Sequence, residues 1–235
     1  MQTFYAPEIE QIPELPEEEA RHALRVLRLG EGAEIMIAVG RGYFYKAIIM
    51  NTDPRHCLVS LVERIEQAPL WNFHLHIAIA PTKNIDRTEW FCEKATEIGI
   101  DAITFLDCRY SERHEIKLSR IEKIVSGAMK QSGKATMPEL RGMSNFGAFV
   151  RHPFQGDKFI AHCEEGEARA LLQHACSKGA GTLVLIGPEG DFSAGETREA
   201  AACGYTAVSL GKSRLRTETA AVAACHTLHI VNTMK

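Results

Sequence analysis

No stretch of the chain approaches the ~18 uninterrupted apolar residues that a membrane-spanning helix needs, so none is expected. Its first residues, MQTFYAPEIEQIPELPEEEA, lack a basic start followed by an apolar run, which argues against a secretory signal. No Cys-x-x-Cys pair occurs, and the seven cysteines are odd in number and widely spread. Free thiols in a reducing, cytoplasmic setting are therefore expected rather than a disulfide framework or a zinc site. Cys225, His226 and His229 lie in a small-residue apolar helix with no further ligand nearby, so they read as core packing, and no metal is expected. A Gly-x-Gly-x-x-Gly run, a Gly-x4-Gly-Lys-[Ser/Thr] loop and a Gly-x-Ser-x-Gly turn are all missing. These absences disfavour an ordinary dinucleotide site, a P-loop hydrolase and a serine-hydrolase elbow. There is no internal repeat or low-complexity segment.

What is present is a 235-residue chain, 45% hydrophobic and 24% charged, enough for one large or two modest domains with a real core. The net charge of −3 argues against indiscriminate binding of polyanions. The charge is uneven, however. Residues 108–134 hold seven bases against three acids, a local surplus of four that suits a selective anionic partner or a solvated helix face.

The rhythm changes along the chain. Up to about residue 70, short β-rich runs at 33–39, 43–50 and 57–63 are separated by the turns 40–42 and 51–54, with one helix at 17–27. This predicts a small antiparallel β domain (1–68), followed by a polar linker at 64–72 containing Pro69. From 73 to 235, strand-like runs at 73–80, 102–106, 158–163, 181–186 and 205–210 alternate with helical stretches near 86–98, 115–134, 166–178 and 194–203 and from about 217 onward. That alternation predicts an α/β domain with a mostly parallel sheet. Asp86 with Glu89 and Ser193 with Glu196 have capping-box spacing.

Ligands of open parallel sheets sit beyond the carboxyl ends of the strands, which singles out the loops after 80, 186 and 210. The second reads Gly187-Pro188-Glu189-Gly190-Asp191-Phe192 before a capped helix, a tight turn through which backbone amides can approach a ligand. The third runs from Gly211 to Ala220 and crowds Lys212, Arg214 and Arg216 within five residues, which calls for an anionic partner. Thr217 could cap the last helix, with Glu218 in its first turn complementing the dipole.

IGPEGDF at 186–192 and SLGKSRLRTETA at 209–220 closely resemble the RsmE family of 16S rRNA (uracil-N3) methyltransferases, in the SPOUT superfamily. HALRVLR (22–28), EKATEIGI (93–100) and KQSGKATMPEL (130–140) extend the resemblance in order along nearly the whole chain. It implies a PUA-like β-barrel domain followed by a SPOUT domain with a C-terminal trefoil knot. It also implies a homodimer that uses S-adenosylmethionine to methylate N3 of a uridine in 16S rRNA, within the 30S subunit. Carried over by motif, Leu185, Ile186, Gly187, Pro188, Glu189, Gly190, Leu210, Gly211, Leu215, Arg216 and Thr219 would line the cofactor site. The chain departs from the family at Asp191, where a glycine is usual, at Arg214, where isoleucine is usual, and at Lys134, where arginine is common; the last swap loses a bidentate fork.

Arg216 is the candidate for stabilising negative charge on a uracil edge, and Glu189 for a general base or a brace of its loop. His22, Arg25, Arg28, Lys83, Arg109, Arg113, Gln131 and Lys134 are candidates for gripping RNA. A non-catalytic RNA-binding ribosome factor and an enzyme acting on another RNA base or a tRNA ribose remain open alternatives.

Overall fold

A computed structural model describes residues 1–163 and 169–234. The chain divides into two compact units, Met1–Leu70 with Ser126–Met137, and Trp71–Val125 with Pro138–Lys235.

In the first unit, β1 (Thr3–Tyr5), β2 (Glu34–Ala38), β3 (Tyr43–Ile49) and β4 (Val59–Glu66) form one sheet in that order. The strands β2 to β4 are antiparallel as the turn signals predict, but β1 joins β2 in parallel, a strand too short to read from sequence. Phe4, Ile9, Ile35, Ile37, Ala47 and Ile49 are fully buried and supply the core. The expected linker begins late, because β4 continues through Glu66. The expected helix at 17–27 is α1 (Glu17–Arg21) followed by a π-helical turn (His22–Val26), and Arg28 leaves that turn at φ 56°. Residues 133–135 are tied to this unit by Gln67, whose side chain donates to the Gly133 carbonyl (2.9 Å) and accepts from the Ala135 amide (2.7 Å).

The second unit contains β5 (Leu75–Ile79), α2 (Ile85–Ile98), β6 (Ala102–Asp107) and the start of α3 (Leu118–Gln131). It continues with β7 (Glu139–Asn145), α4 (Phe146–Val150), β8 (Asp157–Ala161), β9 (Ala170–Leu171), α5 (Leu172–Ala175), β10 (Thr182–Ile186), α6 (Ala194–Ala202), β11 (Thr206–Ser209) and α7 (Thr217–Thr233). The sheet order is β7-β6-β5-β10-β8-β11-β9 and every pairing is parallel. The central strands β5 and β10 are buried at every position, which is why they read as unbroken apolar runs. With β8 between β10 and β11, the order is compatible with the C-terminal knot that the resemblance implies. The last helix packs on α2, α5, β5 and β10 through Ala221, Ala224, Cys225 and Leu228, small enough for close approach. His229 hydrogen-bonds the Gly99 carbonyl (2.6 Å) and Cys225 Sγ lies 3.6 Å from it, so both serve packing.

Several local expectations are corrected. The α2 N-cap is Asn84, whose side chain accepts from the Asp86 amide; Glu89 pairs with Arg120 instead of closing a box with Asp86. The α7 N-cap is Arg216, with no side-chain bond, and Thr217 lies inside the helix. The expected helix at 166–178 shrinks to β9 and α5, its start at 166–168 lying outside the described residues. Ser193 and Glu196 do form the reciprocal capping box.

One buried polar pair carries a pH prediction. His76 on β5 is 2% exposed and hydrogen-bonds Thr104 of β6 at 2.8 Å. Burial, reinforced by Arg141 and His74, pushes its imidazole from 6.5 down to about 3. The unfolded chain therefore takes up this proton at a pH where the folded chain refuses it. Stability present above pH 6.5 is lost as pH falls toward 3, at on the order of 1 kcal/mol per unit. In urea titrations between pH 7 and pH 5, wild type should lose stability faster than His76→Gln; parallel pH slopes would contradict this.

Candidate functional site

A cleft of about 950 Å³ opens at the carboxyl ends of β8, β10 and β11. One wall is the β10–α6 loop, with Ile186, Gly187, Pro188, Glu189, Asp191 and Phe192. The other is the β11–α7 loop, from Leu210 to Arg216. Ala161, His162 and Cys163 at the end of β8 close the third side, with Arg169 and Tyr110 beside them.

Local chemistry fixes each loop. At Gly187 a Cβ would stand 3.1–3.2 Å from the ring and amide of Phe192, so glycine lets the turn fold back on that ring. Phe192 in turn packs on Phe146, with ring centroids 5.4 Å apart, which seats the loop on the core. The turn closes with the Asp191 amide on the Pro188 carbonyl at 2.9 Å. Asp191 sits at φ 65°, where glycine is easiest and Asp is among the tolerated residues. Its carboxylate accepts from its neighbour's amide, Phe192 (2.8 Å), and from the Cys163 amide (2.7 Å). The departure from glycine thus gains a tie between two walls of the cleft.

Glu189 is a brace. Its Oε1 accepts from the Lys83 amide at 2.9 Å, joining the β10–α6 loop to the β5–α2 loop. Arg113 donates to the Thr82 carbonyl (3.2 Å) and the Lys83 carbonyl (2.8 Å) of that same loop, and Lys83 Nζ pairs with Glu112 at 2.7 Å. The lysine pair is exposed and contributes little to stability. Glu196 links the α6 cap to Arg109, accepting from its amide at 2.8 Å.

In the β11–α7 loop Gly211 lies at φ 134° with nothing within 4 Å of a Cβ placed on it, so its backbone faces open space in the cleft. Ser209 Oγ holds it from both sides, accepting from the Gly211 amide (3.2 Å) and donating to its carbonyl (3.0 Å).

The RNA methyltransferase domain family matches residues 69–229, more than half of the chain, and an RNA methyltransferase PUA domain family matches 15–62. A crystal structure described as a "probable rRNA-methyltransferase" from Porphyromonas gingivalis is 41% identical, superposes with a TM-score of 0.94, and covers 99% of this chain and 98% of its own. Ribosomal RNA small subunit methyltransferase E of Bacillus subtilis is 28% identical over 86% of this chain and 84% of its own. The chain belongs to the RsmE family of RNA methyltransferases. The Neisseria gonorrhoeae protein of the same name, solved bound to S-adenosylmethionine, is 26% identical with a TM-score of 0.82 and covers 98% of this chain and 97% of its own.

Of the RsmE motif residues, Ile186, Gly187, Pro188, Glu189, Leu210, Gly211, Leu215 and Arg216 line the cleft. Three lie off its lining. Leu185 is wholly buried in the core, Gly190 sits against Tyr110, and Thr219 faces a second, smaller hollow. Among the RNA candidates, Lys83, Arg109 and Arg113 stand near the cleft loops in the second unit, with the Arg113 guanidinium engaged by backbone carbonyls. His22, Arg25, Arg28 and Gln131 are exposed in the first unit, while Lys134 there is only 8% exposed, a poor position for reaching a phosphate. The β8 wall, Ala161 to Cys163, carries no motif of its own; it lies at the carboxyl end of a parallel strand, where the same rule places ligands.

Proposed function

We propose that this protein methylates N3 of a uridine in the 16S ribosomal RNA of the small subunit, with S-adenosylmethionine as methyl donor. The observation that carries the reading is the cleft itself, in which two glycine-bearing loops face each other across the ends of β10 and β11. Its residues fit the donor. Ile186, Leu210, Leu215 and Ala220 offer apolar walls for a purine, and the bare backbone at Gly211 leaves room for close hydrogen bonding. The volume suits a ligand of that size. The group, when bound, supplies an electrophilic methyl on a sulfonium.

The chain's own contribution is orientation and charge. Arg216, exposed at the rim, stabilises the negative charge that develops on the uracil as its N3 proton leaves. Glu189 holds the loop in place through Lys83. The protein works as a homodimer in the cytoplasm on the 30S subunit. His22, Arg25 and Arg28 grip RNA phosphates from the PUA-like unit, so Arg25→Ala with Arg28→Ala should lower the slope of log affinity against log salt by about 2, near one per phosphate contact. An unchanged slope would remove them from the RNA interface.

A calorimetric titration tests the cofactor half of the reading. One molecule of S-adenosylmethionine per chain should bind with micromolar or tighter affinity. No binding would support a non-catalytic RNA-binding factor on the same fold.

A further inference from the structure

The second hollow, about 330 Å³, lies between the first turns of α2 and the start of α7 and is lined by Asp86, Arg87, Trp90, Arg216, Glu218 and Thr219. Arg216 lines it and the cofactor cleft alike, so the two spaces meet at that side chain. Trp90 is large, apolar and 43% exposed. Glu218 is 7% exposed and, among the described residues, its ion-pair contact is with Arg87, at a long 3.9 Å from Oε1. Its Oε2 is shielded from solvent and, among the described residues, receives no hydrogen bond.

A carboxylate oxygen buried without a donor is costly and uncommon, and one explanation is a donor that is not part of this chain. A helix dipole favours an acid in the first turn but leaves that oxygen unsatisfied. A uracil ring offers what is missing: a flat face, and an edge on which an N–H donor sits between two carbonyl acceptors. The hollow carries the complement, an exposed indole for the face, a carboxylate for the N–H, and the guanidinium groups of Arg87 and Arg216 for the carbonyls.

We propose that this hollow receives the acceptor uracil, stacked on Trp90, and that Glu218 takes its N3 proton. The proposal rests on the uridine-methylating reading above. The N3–H bond breaks with its electron pair left on nitrogen, and an O–H bond forms at Oε2 of Glu218. The negative charge passes from the carboxylate to the ring beside Arg216, and the freed nitrogen pair would form the N–CH3 bond as the methyl–sulfonium bond of S-adenosylmethionine breaks, its electron pair staying on sulfur as a neutral thioether. Asp86 and Arg87 of α2 and Arg216 of the preceding loop are the charged groups facing Glu218 in the hollow.

The test compares wild type, Glu218→Gln and Trp90→Ala on unmethylated 30S subunits, with melting temperature and S-adenosylmethionine affinity measured alongside. Glu218→Gln should keep cofactor affinity within about twofold and lose at least ~100-fold in single-turnover methyl transfer, the usual contribution of a general base. Subunits assembled with 5-fluorouridine, whose N3 proton is more acidic, should recover at least tenfold of that loss. Trp90→Ala should weaken binding of unmethylated subunits, measured without cofactor, by about tenfold or more, as loss of a stacking partner does.

Transfer by Glu218→Gln within threefold of wild type, or a loss that fluorouridine does not narrow, overturns the proton role. A Trp90→Ala protein that binds subunits normally but changes oligomeric state overturns the stacking role and makes this face a contact between copies. If Glu218→Gln does not fold, the Trp90 measurement still decides the location of the base. Wild type that binds S-adenosylmethionine yet forms no 3-methyluridine defeats the functional reading instead, and does so before any variant is made.

Discussion

Replacing Arg216 with alanine is expected to lower methyl transfer at least ~100-fold while leaving S-adenosylmethionine affinity within about threefold, the signature of a group that acts mainly on charge developing in the transition state. Three features place the effect there. Arg216 is the N-cap residue of α7, its backbone held at φ −73° and ψ 156°, so the start of a rigid helix fixes its origin. Its side chain is exposed and lines both the cofactor cleft and the hollow beside it. Among the described residues no carboxylate lies within ion-pair distance of Arg216, which leaves its charge available to a substrate anion. Arg216→Lys should recover only part of the rate, because a single ammonium lacks the planar fork. Single-turnover kinetics with a parallel binding titration measures both quantities. An equal loss in each would make Arg216 a cofactor-binding residue and nothing more.

The second large effect is expected at Gly211. Valine there meets two penalties of different origin. At φ 134° a β-branched residue is forced into backbone space that L side chains rarely occupy, a strain of about 1–3 kcal/mol. Its side chain would also project into the open space that the glycine leaves in the cleft. Together these should weaken S-adenosylmethionine binding by at least ~30-fold and lower the melting temperature by several degrees. Lys212→Ala, one residue further on and exposed, should change binding by less than threefold. A Gly211→Val protein with wild-type cofactor affinity would show that the donor does not approach this turn.

How far the sequence could be read depended on what each residue answers to. The buried strands β5 and β10 and the helices α2, α6 and α7 follow from unbroken apolar runs and helical periodicity, signals set by the core. The edge strand β7, ELRGMSN, carries a glycine and alternates poorly, and only its pairing with β6 makes it a strand. The parallel partnership of β1 with β2 is likewise a long-range fact that three residues cannot signal. At the site, the two motif loops announced themselves because glycine and crowded cations at strand ends demand an explanation. Glu189 reads from sequence as general base or as brace, and the bond that favours the brace comes from a backbone amide 106 residues away in sequence. Asp191 stood out only as a departure, because its compensating bond to Cys163 crosses between separate loops. Glu218 looked complete as a first-turn acid; its unsatisfied oxygen belongs to tertiary structure alone.

The central claim is tested most directly by incubating the protein with labelled S-adenosylmethionine and either unmethylated 30S subunits or naked 16S rRNA, then identifying the labelled nucleoside by mass spectrometry. The account predicts 3-methyluridine from ribosomal RNA in at least one of the two forms. Label in a different base or on a ribose, or no transfer to either RNA by protein that binds the cofactor, would contradict it.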